Sequence, residues 1–151
     1  MYLEHVNLVV ADMDAMLHFY RAAFPHWRIR DEGKGEWYGK PRRWLHFGDD
    51  YHYLALSDHG EGPNRKLEGH SVGLAHFAYV TNNLTAVINR LQSAGYAIAK
   101  PGAEDPYRKN IYFVDPAGFE VEFVEYLSDL PAERNLNLDK AQTQSNKREV
   151  L

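Results

Sequence analysis

The sequence predicts an α+β fold in which one unit, strand–helix–three strands, is used twice. Three observations predict it. Each half opens on a short apolar strand that contains a histidine, His5 in "LEHVNLVV" and His76 in "LAHFAYV". Each of these strands runs into a polar residue suited to cap a helix, Asp12 or Asn83, and then into helical periodicity. Finally, the halves superpose without a gap when His76 is laid on His5. Val9 then meets Val80, Met13 meets Leu84, Met16 meets Val87, Leu17 meets Ile88 and Tyr20 meets Leu91. Periodicity alone would match some of these pairs, but it does not force histidine onto histidine or cap onto cap.

The elements follow in order. "LEHVNLVV" has the β-branched, apolar character of a strand. Beyond Asp12, Met13, Met16, Leu17, Tyr20, Ala23 and Phe24 recur at helical spacing, and Pro25 ends the helix. "WRIRDEG", "RRWLHFG" and "YHYLALS" read as three short strands separated by turns with Gly and Asp. "DHGEGPNRKLEGHS" is polar, carries Gly and Pro, and has no period, so it reads as a linker. The second half repeats the pattern. "LAHFAYV" is a strand, and Leu84, Val87, Ile88 and Leu91 mark a helix closed by Gly95. "YAIAKPG", "KNIYFVD" and "FEVEFVEY" supply the last strands. The expected organisation is a single domain over 1–127, with module one at 1–58, a linker at 59–72 and module two at 73–127. A polar tail follows at 128–151, part of it helical after Pro131.

Composition narrows the function. The 151 residues are enough for one domain with a real core, and a 44% hydrophobic, 13% aromatic content is that of a globular chain. With no cysteine there is no disulfide, thiolate metal site or thiol nucleophile, which suits a reducing, cytoplasmic setting. The first residues lack a basic segment leading into a long apolar run, so no signal peptide is expected, and no apolar stretch is long enough to span a membrane. A formal charge of -4 with scattered basic residues argues against a nucleic-acid partner. Any metal site would have to draw on the eight histidines and the carboxylates.

The last strand poses the chemical question, because Glu120, Glu122 and Glu125 are set between Phe119, Val121 and Phe123. Strand alternation turns Glu122 away from the apolar side, as it turns His5 away from Val6 and Leu8. Taken singly, a strand histidine is more often structural and a strand glutamate more often solvated. His5 and His76, however, stand at equivalent points of a repeat, and Glu122 lies on the same kind of face. If each half curls into half of a cup, two imidazoles and one carboxylate converge on a site with open positions. Such a site suits Fe2+, Mn2+, Zn2+ or Ni2+. Glu120 is then the same-face neighbour of Glu122, and Glu125 lies at the surface. Asn110 and Tyr112 share one face of their strand, Tyr112 being either a substrate neighbour or a packed aromatic. Trp44 and His46 oppose Leu45 and Phe47 and so can face inward. His46 is then either an acid or base beside the metal or a surface histidine. Asn7, two residues after His5, would lie beside the metal, and Arg108 with Lys109 either attracts an anionic substrate or sits in water at a strand end.

In "LEHVNLVVADMDAMLHFY", "LAHFAYV" and "IYFVDPAGFEVEFVEY" the chain resembles the vicinal oxygen chelate superfamily. That superfamily includes glyoxalase I, extradiol dioxygenases, methylmalonyl-CoA epimerase, and fosfomycin- and bleomycin-resistance proteins. The resemblance implies paired βαβββ modules forming an open, cup-shaped mixed β-barrel around one divalent metal. It also implies that His5, His76 and Glu122 occupy ligand positions and that Tyr112 lies near substrate. One position departs from the glyoxalase I pattern, where the last strand of module one supplies a second carboxylate. Here alternation along "YHYLALS" puts Tyr53 and Ala55 on the cup face, and Ala55 neither binds metal nor takes a proton. His52 falls on the face of Leu54 and Leu56. A three-ligand site resembles instead the extradiol dioxygenases and the fosfomycin-resistance thiol transferases, although "FVEYLSDLP" lacks the arginine that resistance enzymes place there.

The expected function is that of a metal-dependent enzyme chelating vicinal oxygens of a small molecule, with dioxygenase-like, lyase or transferase chemistry. Tyr112 and His46 are its candidate catalytic groups. Asn7, Trp44, Tyr53, Arg108 and Asn110 are its candidate substrate contacts. The alternative is a metal-free binding protein like those that sequester bleomycin. A homodimer is expected, with modules paired either within one chain or across two.

Overall fold

The computed structural model describes residues 1–135. Strand β1 (His5–Val9) leads to helix α1 (Met13–Ala23), then β2 (Arg28–Trp37), β3 (Lys40–Gly48) and β4 (Tyr53–Ser57). The second half contains β5 (His76–Val80), α2 (Leu84–Ser93), β6 (Lys100–Pro101), β7 (Arg108–Val114) and β8 (Glu120–Tyr126), and is followed by the short helix α3 (Pro131–Arg134). The strands form two separate four-stranded mixed sheets, ordered β1-β4-β3-β2 and β5-β8-β7-β6. In each sheet the first strand of the half runs parallel to the last, and the other pairings are antiparallel.

The helices begin where the caps predict. Asp12 Oδ1 accepts from Ala15 N at 2.8 Å, and Asn83 Oδ1 accepts from Ala86 N at 2.9 Å, so each satisfies an amide that the first turn leaves unpaired. Gly95 closes α2 at a φ of 93°, a conformation that costs glycine little. The two helices pack on each other and on the inner faces of both sheets. One core joins Leu8, Met16, Phe19, Leu54 and Leu56 of the first half to Leu91, Phe113, Val121 and Phe123 of the second. Arg90 fastens the joint by donating to the carbonyls of Ala22 and Ala23 at 3.0 and 2.8 Å. Tyr20 OH donates to the buried Asp115 Oδ2 at 2.9 Å, also across the two halves.

Three elements differ from their expected extent. β2 and β3 are longer, because a two-residue turn at Tyr38 (φ 48°) and Gly39 (φ 82°) closes them into one hairpin. β6 shrinks to two residues, since Pro101 has no N–H to extend the ladder. Glu125 is not simply a surface residue. Its Oε2 accepts from Leu84 N at 3.0 Å, at the amide-rich start of α2. The helix after Pro131 is present as one turn, and the rest of the expected tail lies outside the described residues. No described helix is long and apolar enough to cross a membrane.

Candidate functional site

Because both helices cover the inner faces, each sheet keeps a second, open face. Leu54 and Leu56 point into the core, so Tyr53 and Ala55 take the other side of β4, the register that alternation predicts. His52 precedes the strand and is exposed, with Nδ1 3.8 Å from Asp49 Oδ1. The pairing registers make the two open faces directly comparable. Ala55 lies opposite Asn7 and His46, and Glu122 lies opposite Ala78 and Tyr112. Ala55 is thus the counterpart of Glu122, and His46 the counterpart of Tyr112.

The open face of the second sheet is a polar cluster built on β5, β7 and β8. His76 Nε2 lies 3.3 Å from Glu122 Oε2. The other oxygen of Glu122 accepts from Asn110 Nδ2 at 2.6 Å, and the same amide reaches Tyr112 OH at 3.2 Å. Asn110 fits because Gly102 lies against it, where a Cβ would come within 1.8 Å of its Oδ1. On the other side of the imidazole, Glu120 Oε1 stands 3.8 Å from His76 Nδ1 and accepts from Lys100 Nζ at 2.9 Å. Lys100 also lies over the Tyr112 ring, 4.3 Å from its centroid. Burial, followed by the charge of Glu122, raises the Tyr112 pKa above its usual value, so at neutral pH the phenol keeps its proton. Both glutamates are buried, and each has a hydrogen-bond donor.

The open face of the first sheet is aromatic. Trp44 and His46 lie 5.0 Å apart, His46 and Tyr53 4.5 Å, and Tyr53 and His5 4.6 Å between ring centroids. His5 Nδ1 is 3.0 Å from Glu4 Oε2. Burial lowers the His46 pKa from its usual value, against the raising pull of Asp31, so the ring is a neutral base at neutral pH. Asn7 is exposed on the same face. Arg108 sits on β7 with its Nε 3.3 Å from Asp105 Oδ2, and so is already ion-paired.

The structure therefore brings His76, Glu122, Asn110 and Tyr112 together, and separately His5, Tyr53, His46 and Trp44. Among the described residues no three His, Cys, Asp or Glu form a group able to hold a metal ion. Alternation and the repeat assign these residues to the open faces of two halves, but the convergence of His5 with His76 and Glu122 expected from them is not seen within the described residues. Lys100 and Arg30 escaped sequence reasoning. Lys100 reaches the cluster only through the pairing of β6 with β7, and Arg30 through a bulge in β2.

Residues 2–123 match the family described as the Glyoxalase/Bleomycin resistance protein/Dioxygenase superfamily, and the chain belongs to it. No curated protein sequence matches the chain. Among solved structures it is similar to a glyoxylase/bleomycin resistance protein/dioxygenase domain from Frankia sp. EAN1pec. The TM-score is 0.69 at 20% identity, over 90% of this chain and 98% of that one. It is also similar to a mutant of the fosfomycin resistance protein FosX from Listeria monocytogenes, complexed with Mn(II) and a dihydroxypropylphosphonic acid. There the TM-score is 0.64 at 15% identity, over 85% and 94% of the two chains. TnmS3, an antibiotic-binding protein from Streptomyces sp. CB03234, has a TM-score of 0.57 at 18% identity, over 83% and 96%. At these identities the likeness speaks for the fold.

Proposed function

We propose that the protein is a metal-dependent enzyme acting on a small molecule, with His76, Glu122 and His5 as the metal ligands. The observation that carries this reading is the pairing of His76 Nε2 with Glu122 Oε2 at 3.3 Å, while Asn110 holds the second oxygen of the carboxylate. One nitrogen and one oxygen donor presented together, with the carboxylate oriented by a neighbouring amide, suit a borderline divalent ion. Among the described residues His5 is in no such group, so the reading assigns it to the site of a second copy. The first sheet of one subunit then faces the second sheet of the other, and the working unit is a homodimer. Similarity to a Mn(II)-complexed FosX supports a divalent ion.

A bound ion would supply Lewis acidity or a centre for oxygen chemistry, which leaves dioxygenase-like and lyase or transferase reactions within reach. The residues of the chain perform the rest. Asn110 fixes the Glu122 carboxylate, and Tyr112 offers its phenol proton to a substrate oxygen. His46, neutral and half-buried, accepts a proton from the opposite wall. Asn7, Trp44, Tyr53 and Arg108 line or border the space as substrate contacts. A second reading, a metal-free binding protein, draws on the ring-lined first face and on the similarity to the antibiotic-binding TnmS3. Metal analysis of purified protein, before and after loading with Mn(II) or Fe(II), separates the two. The enzyme reading expects close to one ion per chain, lost in a folded Glu122→Ala variant. Wild-type protein that takes up no divalent ion tightly would leave the binding reading in its place.

A further inference from the structure

The first sheet carries, beside the groups already assigned to the site, two arginines that the metal reading does not use. The Trp44 indole lies over Gly33, its cross-strand partner, where a Cβ would come within 2.8 Å of the ring. A ring laid against a strand in this way has one face on the backbone and the other turned outward. Beside it, His46 and Tyr53 continue the row at 5.0 and 4.5 Å. Arg30 sits in the only irregularity of the β2–β3 ladder, between Ile29 paired to Phe47 and Asp31 paired to His46. Such a bulge re-aims a side chain, and here it brings the guanidinium 4.8 Å above the Tyr53 ring. Among the described residues Arg30 makes no ion pair or hydrogen bond. Arg42, on the same face, donates to Ser57 Oγ at 2.7 Å and lies 4.8 Å over the Trp37 ring, and its buried Nε has no hydrogen-bond partner. Among the described residues, two arginines outside any ion pair thus flank a row of rings, whose nearest carboxylate, Glu4, is engaged by His5 and Tyr53 instead. On the second sheet, by contrast, the lysine of the open face is matched to a glutamate.

A row of ring faces binds a flat π-surface, and an uncompensated guanidinium favours an anion, most strongly as a planar carboxylate. We infer that the open face of the first sheet binds a planar aromatic anion, stacked on Trp44 and charge-paired to Arg30. This rests on the reading above that this face is one wall of a small-molecule site, and it assigns that site an aromatic carboxylate or phenolate class of substrate. The ring row selects the aromatic body and the bulged arginine selects the charge.

The test uses naphthoate as probe, with decahydronaphthoate lacking the aromatic ring and naphthylmethanol lacking the charge. Binding to the full chain is followed by calorimetry, and by NMR shifts of the indole N–H signals, in EDTA and again with Mn(II). Naphthoate should bind about tenfold more tightly than either comparator, a difference worth about 1.4 kcal/mol. Trp44→Ala and Arg30→Gln should each weaken it about tenfold, and Trp44→Phe should retain it. Arg30 is exposed, so its replacement gives a reading even if Trp44→Ala fails to fold. Equal affinity for the three probes, or naphthoate affinity unchanged in both Arg30→Gln and Trp44→Ala, would overturn the inference. Naphthoate binding in EDTA by a protein that takes up no metal would uphold it while removing the enzyme reading. Metal uptake without naphthoate selectivity would do the reverse.

Discussion

Outside the site, Asp115 is a buried carboxyl that joins the two halves. Its Oδ1 accepts from the amides of Ala117 and Phe119, both at 3.0 Å, and its Oδ2 accepts from Tyr20. Burial outweighs these bonds and raises its pKa from 3.8 to about 6. A carboxyl whose folded pKa is raised contributes stability that is full below pH 4 and is lost as pH rises through about 6. The shift corresponds to roughly 3 kcal/mol. Urea unfolding of wild type and Asp115→Asn across pH 4 to 7 should show wild type losing stability relative to the variant as pH rises. A constant difference would place the titration elsewhere. Asn110 is its equivalent within the site. Asn110→Ala should lower metal affinity about tenfold or more while leaving a folded protein, because the carboxylate proposed as a ligand loses its orienting bond. Titration of a metal-free sample with Mn(II) reads this directly. Alternation along β7 and β8 made both partners of that bond legible in the sequence. The role of Asp115 was not, because it depends on a tyrosine ninety-five positions away.

At the scale of the element, local signals carried furthest where the chain makes its own structure. Both helices, with their side-chain caps at Asp12 and Asn83, were legible because caps and periodicity are set within a few residues. The β2–β3 hairpin was not, because its turn holds Tyr38 in a left-handed conformation that sequence would assign to asparagine or glycine. Tyr38→Asn should therefore stabilise the protein, by about 0.5 kcal/mol, and a raised melting temperature would show it. A lowered one would mean that the Trp37–Tyr38 ring contact outweighs the backbone cost. Glu125 gives the opposite case. Replacing it with Ala should cost about 1 kcal/mol by stripping the start of α2 of an anionic acceptor. Helical signal in native-state hydrogen exchange should weaken first at Leu84. The partner of Glu125 lies on a distant helix, so the residue read as surface from sequence alone.

For the whole molecule, the back-to-back packing of α1 and α2 keeps the open faces of the two sheets apart, and the proposed site then needs two chains. This makes a prediction that neither single substitution makes alone. His5→Ala and Glu122→Ala should each lose metal as homodimers. A mixed dimer should recover about half of the wild-type content, since one of its two sites joins an intact first sheet to an intact second. Metal content of co-refolded protein, separated by differently tagged subunits, reads the result. No recovery would mean that the ligands are shared within one chain. Alternation does not bear on this proposal, because it fixes the side of a strand a residue takes and not which sheet stands opposite. The matched registers of the two halves have a consequence of another kind. Ala55 occupies in one half the place that Glu122 occupies in the other. In the genetic code every alanine codon is a single base substitution from a codon for aspartate or glutamate. A second carboxylate at this place is therefore one point mutation away, and a lineage can cross between the two arrangements without rebuilding any other part of the protein.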